Sequence, residues 1–206
     1  MARKQRNKHT QKSIFVLGDG QTEQYYFSHL KRLRGYNYKI RPRLFDDLSI
    51  EDAESKIDQL LSGDADLILY FTDYDTIVNQ EKKEKFLKFK KKYKDNPNVF
   101  ILESMPSIEF WFLLHFKKTT TLFKNSAEVE KALKKHLKDY SKRKQYLENS
   151  VWVVKLCEGE QMEEAKQRSV SILEEKQTIP EEAYFPYTKI HIGIEKFDQL
   201  KSVKKK

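Results

Sequence analysis

The sequence predicts an α/β fold, a mainly parallel sheet of about four strands sandwiched by helices and followed by a mostly helical carboxy-terminal half. Three observations carry this expectation. Apolar runs too short for helices recur at residues 13–17, 67–71 and 98–103, and they alternate with stretches of helical periodicity, the grammar of a parallel sheet covered on both sides. Acids follow those runs at the ends that would face a ligand crevice. From Lys117 onward the strand-like runs give way to helical patterns.

The first strand is Ser-Ile-Phe-Val-Leu at 13–17, closed by the turn Gly18-Asp19-Gly20. Thr22 and Glu23 open a helix whose apolar positions are Tyr25, Tyr26, Leu30 and Leu33, with Gly35 as its stop. Residues 38–45 suggest a second strand near an edge, because Pro42 cannot donate to a ladder. Residues 49–61 look like a capped helix, with Ser49 or the acids that follow it at the start and Ala53, Ile57, Leu60 and Leu61 on one stripe. Leu67 to Phe71 is unbroken apolar sequence, which suits a strand buried on both faces, and Asp73 and Asp75 stand at its end. A loop and a lysine-coated helix follow over 76–94, with Phe86, Phe89 and Tyr93 on one face. After the strand at 98–103 comes the turn 104–107, and Ser107 is placed to cap a helix that is apolar nearly all round and should be buried. Helices over 128–137, 161–176 and 188–200 and a short apolar piece at 151–156 complete the chain.

At 206 residues, with 38% hydrophobic and 34% charged residues, thirteen Phe and eleven Tyr, the chain suits one core with a very polar surface. One cysteine, Cys157, excludes an internal disulfide and a Cys-based zinc cluster, and points to a buried thiol in a reducing compartment. No apolar run approaches the roughly 20 residues that span a bilayer, and the basic N-terminus lacks the apolar region of a secretory signal, so a cytoplasmic protein with no membrane partner is expected. The net charge of +9 equals the five basic residues of segment 1–12 plus the four of segment 201–206, so both ends are expected to be basic flexible tails. Between them the charge is segregated. Residues 46–66 hold eight acids against one lysine, 81–94 eight lysines against two glutamates, and 117–144 ten basic residues against three acids. Basic blocks suit a polyanion such as DNA or RNA, and they equally suit solvated helix faces.

The chemistry lies in acids at strand ends: Asp19 after the first strand, Asp73 and Asp75 after the third, and Glu103 or Glu109 after the fourth. Strand alternation sends Asp73 and Asp75 to the same side, where they can share a cation; the alternative is that Asp-Tyr-Asp is a turn closing the strand. Magnesium keeps several waters and needs only one or two carboxylates, so such a cluster fits phosphoryl chemistry. His115 is better read as a core histidine than as a general acid, and Trp111, Phe112 and Phe116 as core rather than as a stacking platform. Tyr140, Lys142, Arg143, Lys144 and Tyr146 interleave aromatics with charge on an expected loop and, with Lys91 and Lys92 of the lysine-rich helix, are the candidate nucleic-acid contacts, a solvated basic loop being the alternative. Gly18 and Gly20 do not form a phosphate-binding loop.

At this point the residues resemble a family. Gly18-Asp19-Gly20-Gln21-Thr22-Glu23-Gln24-Tyr25-Tyr26-Phe27 looks like the Glu-Gly-x-Thr-Glu-x-x-Tyr-Phe opening of the RloB-like proteins of the Toprim superfamily, and Asp73-Tyr74-Asp75 matches the Asp-x-Asp after the third Toprim strand. The block from Ser104 to Phe116 is similar to that family's Ser-Asn-Pro-x-Phe-Glu-x-Trp-Leu-Leu-Leu-His-Phe, and Tyr140-Ser141-Lys142 and Pro186-Tyr187-Thr188 to its weaker later signatures. The resemblance implies a Toprim-like core over 13–118, with a helical region over 119–200 packed on it or inserted beside it. It also implies a Toprim-type metal-dependent nuclease of prokaryotic antiphage defence, AbiLii-like, with a co-encoded ATPase of ABC/SMC type. By position, Asp73 and Asp75 would be the Mg²⁺ or Mn²⁺ ligands, and Asp19 would take the place of the Toprim glutamate, touching metal or moving a proton. Glu109 would complete or orient the shell. Asp19 is one methylene shorter than the family's glutamate: either the turn moves, Glu23 assists from the helix start, or catalysis is weak. The competing expectation is a non-catalytic subunit that binds nucleic acid or a partner.

Overall fold

A computed structural model describes residues 12–41, 49–63, 65–79, 82–178 and 185–202. The expected tails at 1–12 and 201–206, apart from Lys12, Lys201 and Ser202, and residues 42–45 of the second strand lie outside them. The elements are β1 (Ile14–Gly18), α1 (Gln21–Arg34), β2 (Lys39–Ile40), α2 (Ile50–Ser62), β3 (Leu67–Asp73), α3 (Tyr74–Asn79), α4 (Lys83–Tyr93), β4 (Val99–Met105), α5 (Ile108–Leu114), α6 (Ser126–Leu133), α7 (Lys144–Leu147), α8 (Val151–Leu156), α9 (Gln161–Thr178), β5 (Tyr187–Thr188) and α10 (Ile190–Ser202).

The strands form one sheet in the order β2-β1-β3-β4-β5, parallel except for β5, which runs antiparallel to β4 at Ser104 and Met105. The expected α/β sheet is present, with a fifth strand added. β5 has two residues, the second of which, Thr188, is where the last helix is expected to open, and so short a run shows no periodicity. The chain leaves β1 toward β2 and returns past it to β3, so the strand order reverses between β1 and β3. In open α/β sheets the crevice outside the carboxyl ends at such a reversal is where ligands bind.

Alternation along the strands builds two cores. Ile14, Val16, Leu69, Phe71 and Leu102 face the larger one, shared with α1, α5, α6, α8, α9 and α10. Leu17, Ile68, Tyr70 and Val99 face the smaller one, with Ala53 and Ile57 of α2 and Phe86, Phe89 and Tyr93 of α4. Each such aromatic or branched side chain, taken out of water, contributes about 2–3 kcal/mol before entropy is counted. Among the described residues no helix is long and apolar enough to cross a membrane.

Local signals explain the helix ends. Gly35 is left-handed at φ 65°, and its N–H reaches the Lys31 carbonyl, closing α1. The Ser49 hydroxyl accepts from the Asp52 N–H at 3.0 Å and starts α2. Ser107 corrects the expectation made for it: it makes no side-chain cap on α5 and its hydroxyl donates to Glu109 Oε2 at 2.6 Å instead. α10 lies flush on the sheet because residue 193 is glycine: a Cβ there would stand 2.7 Å from Phe71 Cζ and 3.1 Å from Leu102 Cδ1. Cys157 is half-buried rather than fully buried, its thiol pushed up to about 11 by burial.

Candidate functional site

β1 and β3 are in register from Ile14 with Leu67 to Gly18 with Phe71, so Asp19 leaves the sheet beside the strand that ends in Asp73. Asp73 is the last strand residue and Asp75 lies in the first turn of α3. Strand alternation therefore does not relate the two; the turn into a helix does. The Asp75 N–H donates to the Pro106 carbonyl, which follows the cis Met105–Pro106 peptide, and this ties the turn to the end of β4.

Each acid is held by a different element. Asp73 Oδ1 accepts from the Ile108 N–H at 2.8 Å, at the start of α5. Asp75 Oδ2 accepts from the Ser126 N–H at 3.0 Å, at the start of α6. Asp19 accepts from the hydroxyls of Tyr70 and Thr72, one on each oxygen. Tyr70 packs in the smaller core, so Asp19 is drawn toward the α2–α4 side, whereas Glu109 belongs to a helix of the larger core. Glu109 is fully buried; it accepts from Ser107, from the Tyr140 hydroxyl at 2.9 Å, and pairs with the Lys142 ammonium at 3.0 Å.

The electrostatics link these groups. Burial first, then the charges of Glu23, Glu109 and Asp75, push the Asp73 carboxyl well above its usual range, with Lys142 opposing. Burial and Asp19 raise Glu23 to about 8, with Glu109 adding to the rise. Burial also raises Asp75, against the help of the Ser126 N–H. Lys142 is held charged: burial would lower it, and Glu109 and Asp73 override that. The result is a set of carboxylates with more negative charge than one ammonium balances, some of which keep a proton at neutral pH.

Glu23, read from sequence as a helper or as a partner for the helix dipole, is 3% exposed and acts on both Asp19 and Asp73. Tyr140 is buried and bonded to Glu109 rather than presented for stacking, and Tyr146 is half-buried against it, ring centroids 5.6 Å apart. Tyr70, Thr72 and Ser107 are parts of the site that sequence reasoning missed. Only the period-2 register of β3, which carries Tyr70 and Thr72 on one side, could have pointed to the first two. Lys92 pairs with Glu54 and Asp58 at 2.6 Å each, Lys144 with Glu148 at 3.7 Å, and Lys91 and Arg143 are exposed. Glu103 belongs to the other side of the sheet, where its Oε1 takes the ammoniums of Lys90 and Lys189 at 2.7 Å each. His115 is buried, bonded through Nδ1 to the Trp111 carbonyl, and lowered by burial to about 4, so it is a neutral core residue.

Among the described residues no three of His, Cys, Asp and Glu are gathered closely enough to cage a metal ion. The donor chemistry nevertheless fits a hard divalent cation: oxygen ligands only, and a charge deficit that a cation would relieve. Magnesium in such sites takes one or two carboxylates and keeps water for the rest.

The family model described as RloB-like protein matches residues 14–197. No curated protein matches, and neither does any solved structure.

Proposed function

The chain belongs to the RloB-like family, and on that premise we infer that it is a Toprim-type, Mg²⁺- or Mn²⁺-dependent nuclease that hydrolyses phosphodiesters of DNA or RNA in prokaryotic antiphage defence, together with an ATPase partner of ABC/SMC type. Family membership suggests the coarser statement, a defence-associated protein. The observation that supports the finer one is an undercompensated set of carboxylates at the carboxyl ends of the strands: buried Glu23, Asp75 and Glu109 and half-buried Asp73, with Lys142 the one ammonium among the described residues that acts on them all.

In this reading Asp73 and Asp75 hold the metal, and Asp19, held by Tyr70 and Thr72, is linked to the group through its charge on Glu23. When bound, the cation supplies charge stabilisation at the scissile phosphate and a more acidic water. Glu23, raised to about 8, carries a proton at neutral pH and is the carboxyl suited to give or take one during the reaction. That assigns to Glu23 the proton role that the resemblance gave to Asp19, whose two oxygens already accept from Tyr70 and Thr72. Glu109, held by Ser107 and Tyr140, fixes the Lys142 ammonium next to the acids, where it can also meet a phosphate oxygen.

The test is cleavage of labelled DNA and RNA by the purified protein with Mg²⁺ or Mn²⁺, with and without the co-encoded ATPase. Activity is expected to vanish in Asp73→Ala/Asp75→Ala; equal activity in that variant ends the reading. A second reading, a non-catalytic subunit, is favoured by the engagement of Asp19 with two hydroxyls and by the dispersed ligand set. Calorimetry with Mg²⁺ and Mn²⁺ separates the two, since heat of binding at millimolar metal that disappears in the double variant supports the nuclease and its absence supports the subunit.

A further inference from the structure

Next to the acid cluster is a groove of about 730 Å³ between the end of α6 and α8, within the size range of small-ligand sites. The two are separated by one extended stretch of chain. Tyr140 and Lys142 point to Glu109, while Ser141 and Arg143 line the groove, so four consecutive residues form a wall with one face in each compartment.

The groove joins cations that have no acid partner among the described residues to an aromatic floor. Lys138, Arg143 and Lys155 line it against one acid, Asp139, and none of the three makes an ion pair among the described residues. On α4, by contrast, Lys85, Lys90 and Lys92 are each taken up by acids of α2 or β4. Unpaired cations around a concavity attract a polyanion; paired ones are spent on the fold. The floor is aromatic: Tyr146 and Trp152 stack at 6.4 Å and 29°, Trp152 is buried, and Tyr146 is half-exposed into the groove. Trp152 Nε1 is committed to the Leu147 carbonyl and Asn149 Oδ1 to the Val151 N–H. The amide of Gln145 and the Asn149 NH₂ remain to meet polar edges of a ligand.

We propose that this groove binds an unpaired nucleotide of a single-stranded nucleic acid: Arg143, Lys138 and Lys155 take phosphate, Tyr146 stacks on the base, and Gln145 and Asn149 meet the base edge. A stacked duplex keeps its base faces covered, so a site built on an aromatic floor selects single strands. The proposal deepens the nuclease reading by naming its substrate class, and the shared wall would carry the adjoining phosphodiester from the groove to the acids.

The experiment is fluorescence anisotropy of labelled 12-mers with the whole protein in EDTA, where cleavage plays no part, using single-stranded DNA, single-stranded RNA and duplexes of the same sequence. Wild type is expected to bind at least one of the single strands about ten times more tightly than the duplexes, and the salt dependence of log K should flatten in Arg143→Ala and Lys155→Ala. Tyr146→Leu, which keeps the packing on Trp152, should lose about tenfold on single strands, and Lys85→Ala, at a lysine paired with Glu51, should change nothing. Near-ultraviolet circular dichroism confirms that each variant is folded. Equal affinity for duplex and single strand, no binding, or losses that do not track the groove would each overturn the proposal. A protein that binds single strands through the groove and never cleaves them would sink the nuclease reading and leave this one standing.

Discussion

Glu103 and Glu109 flank the same turn between β4 and α5, and both are buried, at 2% and 0% exposure, yet they live in opposite electrostatic worlds. Glu103 has two lysines to itself. Burial works to raise its carboxyl, and Lys189 and Lys90 override that and leave it below the usual range. Its Oε2 is buried without a hydrogen-bond partner among the described residues, so the pair of ammoniums on Oε1 is what makes its burial tolerable. Glu109 shares one lysine with Glu23 and Asp73, and both of those neighbours are raised. The first arrangement is closed in charge and holds β5 and α4 to the sheet. The second is open: its carboxylates outnumber the ammonium that reaches them. Counting acids at strand ends does not separate these cases; counting the cations that reach them does.

Charge removal tests the contrast most strongly. Asp73→Ala/Asp75→Ala should reduce cleavage by about 100-fold or more, whereas Glu103→Gln should keep metal binding and cleavage within about twofold; a comparable loss in both, read as initial rates, would erase the distinction. Lys142→Met leaves Glu109 buried without its ion pair and should cost the metal-free protein on the order of 2 kcal/mol, roughly 5 °C in Tm, part of which returns with millimolar Mg²⁺. The same scan on Glu103→Gln should show a fall that Mg²⁺ does not repair. pH sharpens the contrast further. A carboxyl raised on folding makes the folded state bind the extra proton, so the contribution of Glu23 is complete below about pH 4.5 and is lost as pH rises through about 8. Glu103, lowered on folding, contributes above its unfolded pKa and loses that contribution as pH falls through its folded value. Melting curves in EDTA from pH 2 to 9 should therefore decline as pH rises toward about 8 in wild type and flatten there in Glu23→Gln, while Glu103→Gln flattens the acid side below about pH 4.5. The smallest effect belongs to the surface: Lys92→Ala should shift stability by less than about 1 kcal/mol, because its partners Glu54 and Asp58 are partly solvated.

The scaffold was largely legible in the sequence. Buried parallel strands are apolar without interruption, so β1, β3 and β4 stood out, and Gly35 and Ser49 marked helix ends by their own chemistry. Asp73 and Asp75 were legible because they follow such a strand. The surroundings of the site were not. Tyr140 and Lys142 reach Glu109 from more than thirty positions away, and no periodicity records a contact made by a coil segment folding back. Glu23 sits where a dipole partner would sit, and only the burial of α1 against α5, with Trp111 Nε1 bonded to the Tyr26 hydroxyl, turns it inward. The lysines of α4 carried a clear charge signal, part of which is neutralised within the fold by acids the sequence does not set beside them: the partners of Lys85 and Lys92 lie on α2, on the far side of β3 in sequence.

Gly193 has a consequence for how the molecule is made. The helix it belongs to seats Ile190, Ile194 and Phe197 in the larger core, and Phe71 and Leu102 meet that helix with no room for even a methyl group. A ribosome that has translated as far as residue 189 has released every acid of the cluster and none of the helix that closes the sheet beneath it. The nascent chain therefore holds its carboxylates on an unfinished floor, and a bulky residue at 193 would keep it in that condition after release.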